Sequence, residues 1–250
     1  MILRRKDAKM IDLNKNLDLN DAKLEVTEDH VHIEFSRPVE ILSSAILNGG
    51  FTEASNIVNM KVRQNKDADS HKTFLPPKVT IKEYIKSKKW HGKSVGMMTA
   101  ANMKSFRTCS AVHDNVIVQS FITMGISNAR RAGDAADWKS FNSYSPKPGT
   151  INIILGTNAK LSRAAMVEAI MIITEAKTCI MQDFNILSSV SKKTATGTGT
   201  DSCVVFTGTG ENIDYCGKHV LIGEMVANVV LKSLRDSLSE IISWGKTQWI

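Results

Sequence analysis

The sequence has few of the features that mark a specialised class of protein. Only 6% of its 250 residues are aromatic, and its four cysteines include no CxxC pair. That spacing excludes a zinc ribbon or a disulfide scaffold, so we expect reduced thiols. No apolar run approaches the ~18 residues that cross a bilayer. The first residues include Arg4, Arg5 and Lys6 but no apolar stretch after them, which predicts no secretory signal and a cytoplasmic protein.

Positive charge is in excess, but the basic residues are not clustered in the sequence. The formal net charge is +7, and the lysines and arginines are spread along the chain. A nucleic-acid surface needs clustered basic residues, often with aromatic side chains between them. We therefore expect a solvated basic face and no nucleic-acid partner. His30 and His32 share one strand face without an evident third ligand, so no protein-bound metal is expected.

The pattern of apolar residues predicts an α+β fold with one domain over residues 21–250, preceded by an N-terminal arm over residues 1–20. Alternation predicts a hairpin over 23–35 and a mainly antiparallel sheet. Its other predicted strands cover residues 39–47, 57–62, 93–98, 116–123, 150–155 and 202–206. Helical spacing predicts a short helix over 79–89, a buried central helix over 161–181 and a long C-terminal helix over 219–244.

The most unusual segment is a threonine- and glycine-rich stretch over residues 194–202. Glycine lets a ligand approach the main chain, and threonine hydroxyls both donate and accept hydrogen bonds. The stretch lacks the GK[ST] of a Walker A loop and the GxGxxG of a dinucleotide turn. Two interpretations remain: a substrate-binding or catalytic loop, with Asp201 at its end, or a flexible turn.

Three further polar positions are candidates, each with a structural alternative. Asn128 follows an apolar strand and suits amide binding, or it caps a helix. Glu175 lies on the predicted buried helix, where burial would raise the pKa of its carboxyl group and suit a general base. A structural ion pair is the alternative. His219 lies near the start of the last helix and suits proton transfer, or it is a surface or capping residue. Cys216 is expected to be a buried, inert thiol rather than a nucleophile.

Taken together and in order, these segments resemble the adenosylcobinamide amidohydrolases of corrinoid salvage, a family found largely in archaea and in some bacteria. The matching segments cover about residues 40–231 and are Asn48-Gly49-Gly50, 123–129, 149–155, Glu175-Ala176-Lys177-Thr178, 195–201 and 217–224. The resemblance implies hydrolysis of the amide that joins aminopropanol to the corrin ring. The products are adenosylcobyric acid and 1-amino-2-propanol. It implies a small corrinoid partner, no cofactor beyond the cobalt of the substrate, and no membrane. It leaves homo-oligomers open.

The resemblance assigns no catalytic residue, so roles are hypothesised from side-chain chemistry. Proton transfer is assigned to His219 or Glu175, and the orientation of the reacting groups is assigned to Asp201. Stabilisation of the oxyanion is assigned to N–H groups around residues 197–200. In a variant mechanism Thr200 is the nucleophile, exposed by self-cleavage inside the threonine-rich stretch. The corrinoid amides are expected to bind Asn48, Gly49, Asn128, Asn152, Thr196, Gly197, Thr198 and Gly199. The competing hypothesis is a corrinoid carrier without hydrolytic activity.

Overall fold

The computed structural model describes residues 9–11, 19, 21–62, 75–137 and 149–247. Its elements, in chain order, are β1 (Lys9–Ile11), β2 (Lys23–Val26), β3 (His30–Ser43), β4 (Gly50–Lys61), α1 (Pro77–Ser87), β5 (Ser94–Thr99), a short 3₁₀ helix (Met103–Ser105), β6 (Arg107–His113), β7 (Val116–Met124), β8 (Ala129–Arg130), β9 (Ile151–Thr157), β10 (Lys160–Leu161), α2 (Arg163–Asp183), β11 (Gly197–Thr198), β12 (Ser202–Thr207), β13 (Asn212–Ile213) and α3 (Leu221–Thr247).

One large sheet carries the fold, and most of its pairings are antiparallel, as predicted. Nine strands run in the order β1-β6-β7-β9-β12-β3-β4-β5, with β2 beside β3. The β2–β3 pairing confirms the predicted hairpin. Only the β9–β12 and β4–β5 pairings within this sheet are parallel. With α2 and α3 packed on the sheet, the α+β class is confirmed.

Strand β3 is one bent strand where the sequence predicted the end of a hairpin and a separate strand. Its register with β4 shifts between Glu34 and Val39. Pro38 lies in the shifted stretch and has no N–H to donate to the ladder. The bend folds the sheet over, so that Asn59 of β4 donates to Thr123 of β7 at 2.8 Å.

The described residues form two large apolar cores and a smaller one, in which Ile81 of α1 packs on Val58 of β4. The first lies inside the folded sheet and includes Ile41, Ile57 and Phe206. The second lies between the sheet and helices α2 and α3, and it contains the apolar stripe predicted for the last helix. That stripe runs at i, i+4 steps from Ile222 to Leu238 and then to Ile241. Its first five residues are buried and Ile241 is partly buried, in the order Ile222, Val226, Val230, Leu234, Leu238 and Ile241.

Helix α2 is buried on one side only, which differs from the expectation that it is buried on most faces. Ala165, Ala169 and Ile173 are in the core, whereas Val167 is 46% exposed and Met171 is 57% exposed. An apolar composition on every face therefore did not place every face of this helix in the core.

Several loops meet at one edge of the sheet. The register pairs Ser43 with Val204 and Thr123 with Asn152. As a result, the end of β3, the end of β7 and the starts of β9 and β12 lie together. The turn over 44–49, the loop over 125–128, residues 149–150 and the loop over 194–201 therefore share this edge. They include parts of four of the six segments that the sequence singled out; 175–178 lies on α2 and 217–224 at the start of α3.

The predicted N-terminal arm over residues 1–20 is described only at 9–11, which pairs with β6, and at residue 19. The rest of that prediction lies outside the described residues. No helix in the described part of the chain is both long and apolar enough to cross a membrane.

Candidate functional site

The threonine-rich segment over residues 194–201, called the threonine loop below, packs against the loop that carries Asn128. Gly199 N–H donates to Asn128 O at 3.1 Å, and Thr196 N–H donates to Arg130 O at 2.8 Å. The short strand β11 pairs with β8. Asn128 precedes a strand rather than a helix, so the helix-cap interpretation is wrong. The structure thus brings Asn128 and the threonine loop together.

Asp201 is the anchor of the threonine loop. Its Oδ1 accepts the N–H of Ile151 at 3.0 Å and the Thr198 hydroxyl proton. Its Oδ2 accepts Thr198 N–H at 2.9 Å and the ammonium of Lys177 at 2.6 Å. Four donors therefore hold this carboxylate, which fits the orienting role hypothesised for it and restrains both main chain and hydroxyl at Thr198.

The hydroxyl of Thr200 is engaged with the start of β9. It donates to Gly149 O at 3.1 Å and shares a short hydrogen bond with the Thr150 hydroxyl, which also contacts Thr200 O. Gly149 has φ +117°, and a Cβ there would lie 2.6 Å from Asn128 N. Only glycine fits this position without strain.

The hypothesised oxyanion donors are only partly available. Thr198 N–H is used by Asp201 and Gly199 N–H by the Asn128 carbonyl. The side-chain amide of Asn128 offers another donor. Its Oδ1 accepts Arg130 Nε at 3.4 Å, and no hydrogen bond within the described ranges uses its Nδ2.

Asn48 and Gly49 lie in the turn between β3 and β4, at the same sheet edge. Asn48 is exposed with φ +55°, and its Nδ2 donates to Ser94 O at 2.8 Å. Ser44, in the same turn, accepts the N–H of Cys203 at 3.0 Å, two residues after Asp201. The turn therefore flanks the threonine loop.

Asn152 differs from the expectation, because its carboxamide points into the protein. The residue is 1% exposed, and its Nδ2 donates to Asn59 Oδ1 at 2.8 Å and Met98 O at 2.9 Å. Its Oδ1 is buried without a partner among the described residues. Asn152 therefore supports the strands below the site and does not line its surface.

Glu175 is not buried, so the reasoning that made it a general base is wrong. Its side chain is 47% exposed and pairs with Lys218 at 2.5 Å, while Lys177 points elsewhere, to Asp201. The alternative interpretation, an ion pair, matches this geometry. The catalytic role of Glu175 stays a prediction without the support of burial.

His219 is exposed in the turn before α3. No hydrogen bond or ion pair between described residues joins it to Asp201 or Thr200. Its neighbour Lys218 contacts Glu175 of α2.

Two contacts give the direction of α3 relative to α2. Cys216 N–H donates to Glu168 near the start of α2, and Arg235 pairs with Asp183 at its end. The two helices therefore run side by side in the same direction.

Helix rise then separates His219 from the threonine loop. At 1.5 Å per residue, Leu221 lies about 21 Å before Arg235, and Lys177 lies about 9 Å before Asp183. The main chain at His219 is thus displaced by about 12 Å along the helices from the level of Lys177. No hydrogen bond or ion pair in the described part of the chain joins His219 to the cluster formed by Asn128, Thr200 and Asp201.

All four cysteines are free thiols. Burial raises the pKa of Cys216 to about 12, and Glu168 adds to the effect. This confirms the expectation of a buried, inert thiol. Burial also raises the pKa of Cys203, beside the threonine loop.

The paired histidines of β3 serve as internal polar groups. His30 contacts the Tyr84 hydroxyl at 2.7 Å, and His32 contacts Asn56 Oδ1 at 2.9 Å while stacking on Trp90. Burial lowers the pKa of His32. The described ranges contain no group of three or more His, Cys, Asp or Glu side chains arranged to hold a metal ion.

Two surface cavities lie away from the threonine loop. One of about 280 Å³ is bordered by Arg37 and Thr209, and one of about 500 Å³ is bordered by Val26 and Lys104. Neither is lined by Asn128, Thr200 or His219.

Two functional candidates were missed in the sequence. Lys177 was treated only as a charge on a helix, and Thr150 only as the start of a strand. The signal for Lys177 was its place in the segment 175–178, one of those that carry the resemblance noted in the sequence. Its partner Asp201 is 24 residues away, and no local spacing connects them.

Comparison with known proteins identifies relatives over most of the chain. The model of the adenosylcobinamide amidohydrolase family matches residues 13–245. The chain is 36% identical to the uncharacterized protein MJ1613 of Methanocaldococcus jannaschii over 241 residues, covering 87% of this chain and 88% of that protein. It is 29% identical to the adenosylcobinamide amidohydrolase of Methanosarcina mazei over 206 residues, covering 77% and 86%.

Similarity to solved structures is weaker. A Burkholderia sp. beta-aminopeptidase gives a TM-score of 0.45 at 10% identity, with 85% of this chain and 79% of that one covered. The PH0078 protein of Pyrococcus horikoshii gives a TM-score of 0.37 at 13% identity, with 93% and 84% covered. These values are too low to assign chemistry, whereas the family match spans nearly the whole sequence. The chain belongs to the adenosylcobinamide amidohydrolase family.

Proposed function

We propose that this protein hydrolyses the amide bond of adenosylcobinamide in the cytoplasm and so serves cobinamide salvage. Water adds across the bond between the corrin side-chain carbonyl and the aminopropanol nitrogen. The products are adenosylcobyric acid and 1-amino-2-propanol. Family membership over residues 13–245 supports the reaction.

The observation that carries the proposal is the contact between the threonine loop and the loop of Asn128. Gly199 N–H meets Asn128 O at 3.1 Å, and Asp201 ties the loop to β9 through Ile151 N–H at 3.0 Å. Polar groups of the threonine loop, the Asn128 loop and the start of β9 thus lie together at the sheet edge. A substrate edged with neutral amides needs such donors and acceptors.

Each proposed role follows from the position of the residue. The corrinoid amides would bind Asn48, Gly49, Asn128 and residues 196–199, although Gly197 itself is buried against Asp201 and Lys177. Asp201 orients the loop, and the Asn128 amide adds an oxyanion donor. The attacking group is water or the Thr200 hydroxyl, and the proton-transfer roles of His219 and Glu175 are tested below.

The direct test is incubation of the purified protein with adenosylcobinamide and detection of products by mass spectrometry. We expect 1-amino-2-propanol and adenosylcobyric acid in equal amounts. A protein that shows a bound corrinoid spectrum but releases no amine is a carrier, and that result contradicts the proposal. Intact-mass measurement of the same sample tests self-cleavage, because an uncleaved chain gives one full-length species.

The proton-transfer hypothesis predicts that His219→Ala or Glu175→Gln lowers turnover by about 10²-fold. The measurement is the initial rate of amine release by each purified variant under the same conditions. Because both side chains are exposed, both variants are expected to fold. Near-wild-type rates in both would remove these residues from the catalytic set and leave the cluster around Asp201 as the site.

A further inference from the structure

The ion pair between Lys177 and Asp201 differs from the other ion pairs of the molecule. Its side chains are 15% and 14% exposed. Every other described pair of a lysine or arginine with a carboxylate has a partner that is at least 33% exposed. Removing two charges from water is costly, and a hydrophobic pair of similar volume is often as stable. Stability alone therefore does not explain why these charges lie there.

The main chain of the threonine loop is shaped around this pair. A Cβ at Gly197 would lie 2.3 Å from Asp201 Oδ2 and 2.9 Å from Lys177 Nζ. Only a residue without a side chain lets both charged groups contact the loop. The glycine and the ion pair form one unit, although Lys177 belongs to α2.

Asp201 links Lys177 to Thr198, because both residues donate hydrogen bonds to its carboxylate. Oδ2 accepts the Lys177 ammonium at 2.6 Å and Thr198 N–H at 2.9 Å, and Oδ1 accepts the Thr198 hydroxyl proton. The Thr198 hydroxyl oxygen also lies 3.4 Å from Gly149 O. The carboxylate thus fixes both the hydroxyl and the main chain where the loop meets the proposed substrate surface.

We propose that Lys177 is a positioning residue of the hydrolytic site. It holds the Asp201 carboxylate in one orientation, and through it the Thr198 hydroxyl and the peptide groups of residues 197–200. This role rests on the proposed function. It assigns to Lys177 no contact with the reacting atoms, because its described hydrogen bond goes to Asp201 alone.

The test compares Lys177→Gln and Lys177→Met with the wild-type protein. Gln keeps a hydrogen-bond donor without the charge, and Met keeps neither. Because small misplacement of reacting groups costs on the order of 10²-fold in rate, we expect kcat to fall about tenfold in the Gln variant and about 10²-fold in the Met variant. KM is expected to stay within about threefold, since the carboxamides of Asn48 and Asn128 are untouched.

Lys232→Gln is the matched control. Lys232 pairs with Asp236 on the exposed face of α3. The kcat of the Lys232→Gln variant is therefore expected to equal that of the wild type. Rates are measured on the folded fraction from size-exclusion chromatography, below the unfolding temperature of each variant. A residue that only stabilises the fold would reduce the yield and the unfolding temperature without changing kcat per folded molecule.

Two results overturn the role of Lys177 alone: a folded Met variant with kcat within about threefold of an active wild type, or a loss confined to KM. If neither variant folds, Lys177→Arg decides, because it keeps the charge but not the geometry. Its kcat is expected to fall at least about threefold, and an unchanged kcat overturns the role. A wild-type protein that releases no amine overturns the proposed function and the role together.

Discussion

Asp201→Asn is expected to lower turnover by about 10²-fold or more and to destabilise the protein by about 3 kcal/mol. The carboxylate accepts four donors, two on each oxygen. In asparagine an NH₂ group replaces one of the two oxygens. That NH₂ group would then face the two N–H or O–H donors that the oxygen accepts in the wild type. The substitution also leaves the Lys177 ammonium without its counter-charge at 15% exposure. Both effects release the threonine loop from β9.

The measurement combines thermal unfolding with the rate of amine release. For a chain of this length, about 3 kcal/mol corresponds to a fall of about 6–12 °C in the unfolding temperature. Asp236→Asn is the matched control, because it removes the same charge from an exposed pair with Lys232, where an i, i+4 pair contributes about 0.3–0.5 kcal/mol. Wild-type turnover in Asp201→Asn would show that Asp201 has no part in the reaction.

Gly156→Ala is expected to destabilise the protein by about 3 kcal/mol and to leave turnover at low temperature unchanged. A Cβ at this position would lie 2.0 Å from Phe206 Cζ and within 2.6 Å of both adjacent ring carbons. The ring therefore lies directly over the glycine, on the neighbouring strand β12. Phe206 is fully buried and meets Phe35 edge-on at 4.9 Å, so it cannot move aside.

A second substitution checks that the clash with the ring is the cause. Gly156→Ala combined with Phe206→Leu removes the aromatic ring and is expected to recover part of the lost unfolding temperature, relative to Phe206→Leu alone. The readout is thermal unfolding followed by circular dichroism. An unfolding temperature of Gly156→Ala equal to that of the wild type would contradict the packing described here.

The helices could be predicted because the spacing of their apolar residues shows which side of each helix is buried. The i, i+4 stripe from Ile222 to Leu238 faces the sheet in the structure, as its spacing indicated. Strands with regular apolar content, such as β7 and β9, were also found. Strand β6 was missed, because its sequence RTCSAVH alternates neither polarity nor size. The bend of β3 was missed, since Phe35 to Val39 continues the strand across a proline.

The candidate site could be predicted only in part. The threonine loop and Asn128 were found from their residue chemistry and Asn48 from the resemblance to a family, and the structure places all three at one sheet edge. The burial of Glu175 was predicted from the apolar neighbours on its helix, but that face of α2 is exposed. The distance between His219 and Asp201 depends on how α3 runs along α2, and neither segment encodes this alone.

By itself, the sequence determined the α+β class, the long amphipathic C-terminal helix and the polar segments of the site, because periodicity and residue chemistry are local properties. The tertiary structure alone decided that Lys177 pairs with Asp201, that Gly197 makes room for both, and that Asn152 points inward. These contacts join residues distant in sequence, and their geometry is set by the register of the sheet and the packing of α2 upon it.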